Sequence, residues 1–136
     1  MAPARPSSAA LLPAARSYLH KCGYQVTTGN HLFDSYHYLA GRDVHRAQDL
    51  MAAFEDPDVD AIVCARGGYG SGRLLSLLDY ERIAGNPKIL VGFSDTTALQ
   101  LALYHRAGLI SFSGALACLL YTSDAADEGL GVDLGG

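Results

Sequence analysis

The sequence predicts an α/β fold in which helices cover both faces of a parallel sheet, in a Rossmann-like or flavodoxin-like arrangement of three layers. Two largely apolar runs of strand length, residues 59–65 and 88–93, lie between segments with helical periodicity. Such alternation with short connections favours parallel strands joined by right-handed crossovers. In these folds ligand sites gather at the carboxyl ends of the strands, so we place the candidate chemistry at residues 66–72 and 92–96.

The bulk composition is typical of one globular domain with a real core. The chain has 136 residues, of which 49% are hydrophobic, and its formal net charge is -4 at pH 7. The lack of a basic excess argues against nucleic acid and anionic membrane surfaces as partners. No uncharged apolar run reaches about 18 residues, so we expect neither a membrane span nor an export signal. A small-molecule partner is favoured.

The cysteines and histidines show no spacing typical of disulfide frameworks or metal sites. Cys22, Cys64 and Cys118 form no CxxC pair, which favours buried thiols in a reducing cytosol. A catalytic Cys64 is the minor alternative, because Arg66 nearby would lower the pKa of its thiol. The histidines lack the H-E-x-x-H pattern and are predicted to be solvated; they are His20, His31, His37, His45 and His105.

The first half of the chain predicts a helix, a short strand and a second helix. Residues 8–22 place apolar side chains at spacings of three and four, and Gly23 ends this helix. The alternation at residues 24–27 indicates a strand. The second helix is expected over residues 43–54, with Asp43 as its N-cap. Its predicted buried face consists of Val44, Ala47, Leu50, Met51 and Phe54.

The second half of the chain continues the alternation. Closely spaced leucines at residues 74–78 indicate a short helix, and the Gly-Asn-Pro sequence at residues 85–87 separates it from the next strand. A further helix is expected over residues 96–107, closed by Gly108. Residues 109–112 predict one more strand.

Residues 66–72, Arg-Gly-Gly-Tyr-Gly-Ser-Gly, form a glycine-rich turn at the end of a predicted strand. Its four glycines permit positive φ angles and let backbone N–H groups approach a ligand, so the turn suits an anion or an oxyanion. The dinucleotide pattern G-x-G-x-x-G is not met, because Arg73 stands where the third glycine belongs. A flexible turn without a ligand is the alternative.

A serine stands in the second turn, residues 92–96, Gly-Phe-Ser-Asp-Thr. A sharp turn from strand to helix lifts a serine hydroxyl above the sheet edge, which is the geometry of a nucleophile elbow. The pattern G-x-S-x-G is met in part, because Thr96 stands where its second glycine belongs. For this segment alone, Ser94 or Asp95 as a plain helix N-cap is the simpler interpretation.

Three segments, in this order and spacing, resemble the LD-carboxypeptidase family. They are LAGRDVHRAQDL at residues 39–50, ARGGYG at residues 65–70 and VGFSDTTAL at residues 91–99. The likeness covers about residues 2–114, and three motifs in register are far more specific than any one of them. The resemblance therefore reverses the preference for Ser94 as a helix cap.

The resemblance implies a bacterial cytoplasmic serine carboxypeptidase that hydrolyses an L,D-peptide bond in murein peptides during cell-wall recycling. It implies Ser94 as the nucleophile and the backbone N–H groups of Gly68 and Asp95 as the oxyanion hole, with no metal or organic cofactor. A related branch cleaves a peptide-nucleotide antibiotic and confers immunity. The rival from another class is a non-enzymatic module that binds a small ligand or nucleotide at the glycine turn.

The resemblance also predicts how the chain is divided. Residues 1–114 are expected to be the family's N-terminal domain, with only residues 1–3 left of its first apolar strand. The family's catalytic glutamate and histidine belong to a second domain that we expect to be absent here, so this chain alone is expected to be inactive. Residues 119–128 resemble translated sequencing adapter. Residues 115–136 are therefore expected to be a non-biological tail, loosely packed from about residue 119 onward. A homodimer is left open.

Overall fold

The computed structural model describes residues 1–7, 9–10, 12–114 and 117. Within these residues, α-helices alternate with parallel strands from the second helix onward, which confirms the predicted α/β fold. The strands are β1 (Ala61–Val63), β2 (Ile89–Gly92) and β3 (Phe112–Ser113), arranged in the order β1-β2-β3. The helices are α1 (Leu12–Lys21), α2 (Asp43–Glu55), α3 (Tyr80–Gly85) and α4 (Thr97–Ala107).

The register of the sheet brings the ends of its strands to one edge. Val63 of β1 is level with Val91 of β2, and Gly92 is level with Ser113 of β3. The glycine-rich turn follows β1, and the serine turn follows β2. Because the strands are parallel, both turns lie at the same carboxyl edge of the sheet, as the sequence predicts.

The core joins α2, the sheet, α3 and α4. Helix α2 contributes Ala47, Leu50 and Phe54, whose spacing of three and four places them on one stripe. Burying each large apolar side chain contributes about 1.5 to 3 kcal/mol relative to leaving it exposed. The fully buried members of this core are Leu50, Phe54, Cys64, Leu74, Ile83, Leu90, Leu99 and Leu103.

Two predicted elements differ in the structure. Residues 24–27 form no strand: no described strand pairs with them, and Tyr24 is 63% exposed. Residues 74–78 form no α-helix either. A 3₁₀ helix, Ser71–Leu74, ends there, and α3 begins only at Tyr80, where the Asp79 carboxylate accepts a hydrogen bond from the Arg82 N–H at 3.1 Å. The side-chain cap therefore decides where this helix starts.

The face and the start of α2 also differ from the prediction. Val44 is 49% exposed, whereas the polar residues Arg46 and Asp49 are buried. Asp43 is the first helical residue and not the N-cap, and its carboxylate binds Arg73 and Arg46. A periodic pattern of apolar residues places all polar residues of a helix on the solvent face. It therefore does not reveal polar side chains that are buried because they bind another residue.

The predicted helix ends at two glycines are confirmed. Gly23 and Gly108 both have positive φ angles, of 89° and 65°; Gly108 directly follows α4, and Gly23 is the second residue after α1. The last strand lies later than the predicted residues 109–112, because the Leu109 N–H still bonds to Leu103 in α4. None of the helices in the described part of the chain combines the length and the hydropathy of a membrane span.

Both ends of the chain bear on the predicted domain division. The Met1 amino group donates to the Val63 carbonyl at 3.2 Å, and the Ala65 N–H donates to the Met1 carbonyl at 2.7 Å. The first residue thus lies along the side of β1 that faces away from β2. The predicted tail, residues 115–136, lies outside the described residues except for Ala117.

Candidate active site

Ser94 occupies a strained turn between β2 and α4. Its φ angle is +66°, a left-handed conformation that costs a residue with a side chain on the order of 1 to 2 kcal/mol. Phe93 before it is extended, with φ of -150°, so the chain reverses sharply at the serine. The Ser94 side chain is exposed above the sheet edge. These features are those of a nucleophile elbow.

The residues on either side of Ser94 explain how this turn fits. A Cβ atom on Gly92 would collide with the Thr96 side chain and approach the Cys64 sulfur to 3.3 Å. Thr96 is fully buried, and its hydroxyl donates to the Phe93 carbonyl at 3.0 Å. Thr96 thereby closes the turn at the position where the common elbow pattern has its second glycine.

The helix-cap interpretation of Ser94 and Asp95 finds no support in the structure. The side chain of neither residue caps the short 3₁₀ helix Ser94–Thr96 or α4. The Asp95 carboxylate instead accepts hydrogen bonds from the Ser71 N–H at 2.9 Å and the Ser71 hydroxyl at 2.7 Å. Ser71 is fully buried. Because Ser71 belongs to the glycine-rich turn and Asp95 to the serine turn, these hydrogen bonds join the two turns.

Gly70 lets the glycine-rich turn pack against α2. Its φ angle is +116°, and a Cβ atom there would collide with Leu39 and lie 3.3 Å from the Arg46 guanidinium. Arg46 is 1% exposed; it donates to the Gly70 carbonyl at 3.0 Å and pairs with Asp43. A buried arginine thus fixes the turn to the helix.

Two backbone N–H groups at the carboxyl edge are candidates for binding an oxyanion. Gly68 has a φ angle of +128°, and no described residue accepts a hydrogen bond from its N–H. The Asp95 N–H lies in the first turn of a helix, where N–H groups have no partner within the helix. The side chain of Arg5 lies against Gly68, with its Cγ 2.5 Å from where a glycine Cβ would be.

Burial decides against Cys64 as a nucleophile. Its side chain is fully buried beneath the serine turn, and desolvation raises the pKa of its thiol to about 11. The thiol is therefore protonated at neutral pH and has no access to a substrate. Cys64 packs as a core residue, as predicted, whereas Cys22 is exposed, so the prediction of a buried thiol is wrong for Cys22.

The histidines divide into two groups. His20, His37 and His105 are exposed, as predicted. His31 and His45 are half-buried instead, and their rings stack with centroids 4.4 Å apart. One feature of the sequence marks this place: His45 and Asp49 are four residues apart on α2 and therefore lie on one helical face.

Comparison with known proteins shows which family this chain is similar to. The family model described as the LD-carboxypeptidase N-terminal domain matches residues 1–114. A murein tetrapeptide carboxypeptidase from Pseudomonas aeruginosa is 42% identical over 118 residues, which cover 86% of this chain and 38% of that protein. The microcin C7 self-immunity protein MccF from Escherichia coli is 38% identical over 97 residues, covering 71% of this chain and 28% of that protein.

Solved structures resemble the same part of the chain. The crystal structure of an MccF-like protein from Bacillus anthracis matches with a TM-score of 0.85 and 35% identity, covering 89% of this chain and 38% of that one. The chain thus spans no more than about two fifths of the length of any of these proteins.

Proposed function

Because this chain belongs to the LD-carboxypeptidase family, we propose that it is the nucleophile-bearing N-terminal part of a serine carboxypeptidase acting on murein peptides. The observation that carries this proposal is the conformation of Ser94. A strained, exposed serine at the carboxyl end of a central strand is retained only where the surrounding structure holds it, and such strain concentrates at active sites. The glycine-rich turn at the same edge supplies N–H donors.

The proposed reaction is acyl transfer in the complete protein. The Ser94 Oγ attacks the carbonyl carbon of an L,D-peptide bond, and a histidine of the second domain accepts its proton. The Gly68 and Asp95 N–H groups stabilise the resulting oxyanion. The tetrahedral intermediate then breaks the C–N bond, and the histidine returns the proton to the leaving D-amino acid. Water releases the shortened peptide from Ser94.

This chemistry uses no metal or organic cofactor, and it needs a base that the described residues near Ser94 do not supply. The described hydrogen bonds place no histidine or carboxylate on the Ser94 hydroxyl. A serine without a base is a weak nucleophile at neutral pH. We therefore expect the 136-residue chain alone to release no D-alanine at a useful rate.

Hydrolysis of a peptide-nucleotide antibiotic is the second candidate function. It is favoured by the likeness to the MccF immunity protein, which is 38% identical. Both functions use the same nucleophile and the same oxyanion donors. They differ in the group that must be recognised beyond the scissile bond, so the substrate distinguishes them.

The test uses the uninterrupted polypeptide, offered an L,D-tetrapeptide and a peptidyl nucleotide, with mass spectrometry of the products. Replacing a triad nucleophile typically costs on the order of 10^4 to 10^6 in rate, so Ser94→Ala is expected to abolish release of D-alanine. Ser76→Ala, at an exposed serine of the described chain, is the matched control. Normal turnover by Ser94→Ala would refute Ser94 as the nucleophile, whereas binding of either substrate by the parent without any product release would favour a binding module.

A further inference from the structure

A second group of chemically active side chains lies at the start of α2, on residues that the proposed reaction does not use. His31 and Asp34 belong to the loop before α2, and His45 belongs to its first turn. One ligand atom from each of the three residues lies within 4.8 Å of the other two. All three side chains are partly exposed, so they are accessible to a solute.

Asp49 holds one of these histidines in a defined orientation. Its buried carboxylate accepts a hydrogen bond from the His31 backbone N–H at 2.9 Å. The other carboxylate oxygen lies 2.8 Å from the His31 Nδ1. A carboxylate acceptor places the ring proton on Nδ1, which leaves the lone pair of Nε2 free. Histidines that bind metal are typically oriented by such a carboxylate on the other ring nitrogen.

The spacing of the other two groups fits a tetrahedral metal ion. The His45 Nδ1 and the Asp34 Oδ2 are 3.3 Å apart. Bonds of about 2.0 to 2.1 Å at the tetrahedral angle also place neighbouring ligand atoms about 3.3 Å apart. The other distances between ligand atoms of the three residues are at most 4.8 Å. Rotation of the Asp34 side chain can shorten them, because this side chain is 42% exposed and lies on a loop.

We propose that His31, Asp34 and His45 bind one Zn²⁺ ion, with water as the fourth ligand. Two imidazoles and a carboxylate form a donor set that suits zinc, whereas Mg²⁺ and Ca²⁺ require oxygen ligands almost exclusively. The nearby carboxylate of Asp49 adds a second negative charge. The bound ion joins the loop before α2 to the helix itself.

The experiment titrates the 136-residue chain with Zn²⁺ in competition with a chromophoric chelator. Cys22→Ser and Cys118→Ser are included in every variant, so that the fully buried Cys64 is the one thiol left. We expect one equivalent of Zn²⁺ per chain, binding weakened at least tenfold in His45→Gln and in Asp34→Asn, and binding unchanged in His105→Gln. His105 is the matched control because it is an exposed histidine at the far end of α4. A hundredfold excess of Mg²⁺ should not displace the zinc.

A second measurement separates binding from damage to the fold. Far-UV circular dichroism and thermal unfolding of each variant are recorded without metal and with Zn²⁺. The parent Tm should rise with Zn²⁺, while the Tm of Asp34→Asn, at an exposed position, should match the parent without metal and not respond to zinc. Zinc affinity that is equal in the parent, Asp34→Asn and His45→Gln would overturn the proposal, as would the absence of binding in the parent.

Discussion

The conformation of Ser94 is a property of one residue that can be measured without a substrate. A left-handed φ angle disfavours any side chain with a Cβ, and glycine alone adopts it without strain. The turn keeps a serine there although glycine would fit the backbone better. A serine in this conformation is what the proposed role as nucleophile predicts.

We expect Ser94→Gly to be more stable than Ser94→Ala by about 1 kcal/mol, because both lack the hydroxyl and only alanine retains the strain. Ala52, exposed on α2, provides the control, since Ala52→Gly should be destabilising by about 1 kcal/mol. Urea denaturation measures both differences. Equal stability of the two Ser94 variants would show that the turn relaxes in solution.

Ser71 illustrates how a residue acts through another. Its hydroxyl bonds to Asp95, next to the proposed nucleophile. We expect Ser71→Ala to cost about 1 to 2 kcal/mol of stability, since the half-buried Asp95 carboxylate loses a hydrogen-bond donor. In the complete protein, kcat should fall roughly tenfold or more while KM stays near normal, because the oxyanion donors are displaced but substrate contacts are not. A change in KM alone would limit Ser71 to a role in substrate binding.

At the scale of elements, the glycine-rich turn needs only some of its glycines. Gly70 has a positive φ angle and no room for a Cβ, whereas Gly72 has neither restriction. Gly70→Ala should therefore be destabilising by about 2 kcal/mol or more, and Gly72→Ala should lie within about 0.5 kcal/mol of the parent. Thermal unfolding compares the two. The opposite ranking would contradict the packing of the turn on Arg46.

The junction between α2 and the glycine-rich turn should depend on pH. The hydrogen bond with Arg73 is the main cause that lowers the pKa of Asp43 below its usual value of 3.8. A carboxyl with a lowered folded pKa contributes stability above the unfolded value and loses it as the pH falls through the folded value. Asp43→Asn should thus be less stable than the parent at pH 7, and the difference should shrink steadily below pH 3.8. Denaturant midpoints from pH 7 to pH 2.5 measure this difference, and a gap independent of pH would refute it.

At the scale of the whole molecule, the sequence predicts the helices and strands better than it predicts contacts between residues far apart in the chain. The apolar runs that contain β1 and β2 and the glycines after α1 and α4 are local signals, so their assignments are confirmed. Residues 24–27 alternate like a strand, but a strand also needs a neighbour, which no local pattern reveals. The bond between Ser71 and Asp95 joins residues 24 apart, so it was not predicted.

In the candidate site too, the sequence indicates some residues, whereas their contacts are visible only in the structure. The resemblance singles out Ser94, Gly68 and Asp95, and their assigned roles stay predictions until the complete protein is assayed. The strain at Ser94 was visible in the sequence only as a partial elbow pattern. The paired histidines were missed, because their partners, Asp49 and Asp34, become recognisable only when α2 packs against the preceding loop.

The buried position of Cys64 makes the stability of the serine turn measurable by thiol labelling. The sulfur packs in the core close to Gly92, so a reagent reaches it only when this part of the core opens. Cys22, exposed at the end of α1, serves as an internal reference for the rate of the unhindered reaction. The ratio of the two rates then gives the free energy of opening at this edge of the sheet. We expect Cys64 to react at least a thousandfold more slowly than Cys22, on the order of 4 kcal/mol of protection, and comparable rates would mean that the edge carrying Ser94 is open most of the time.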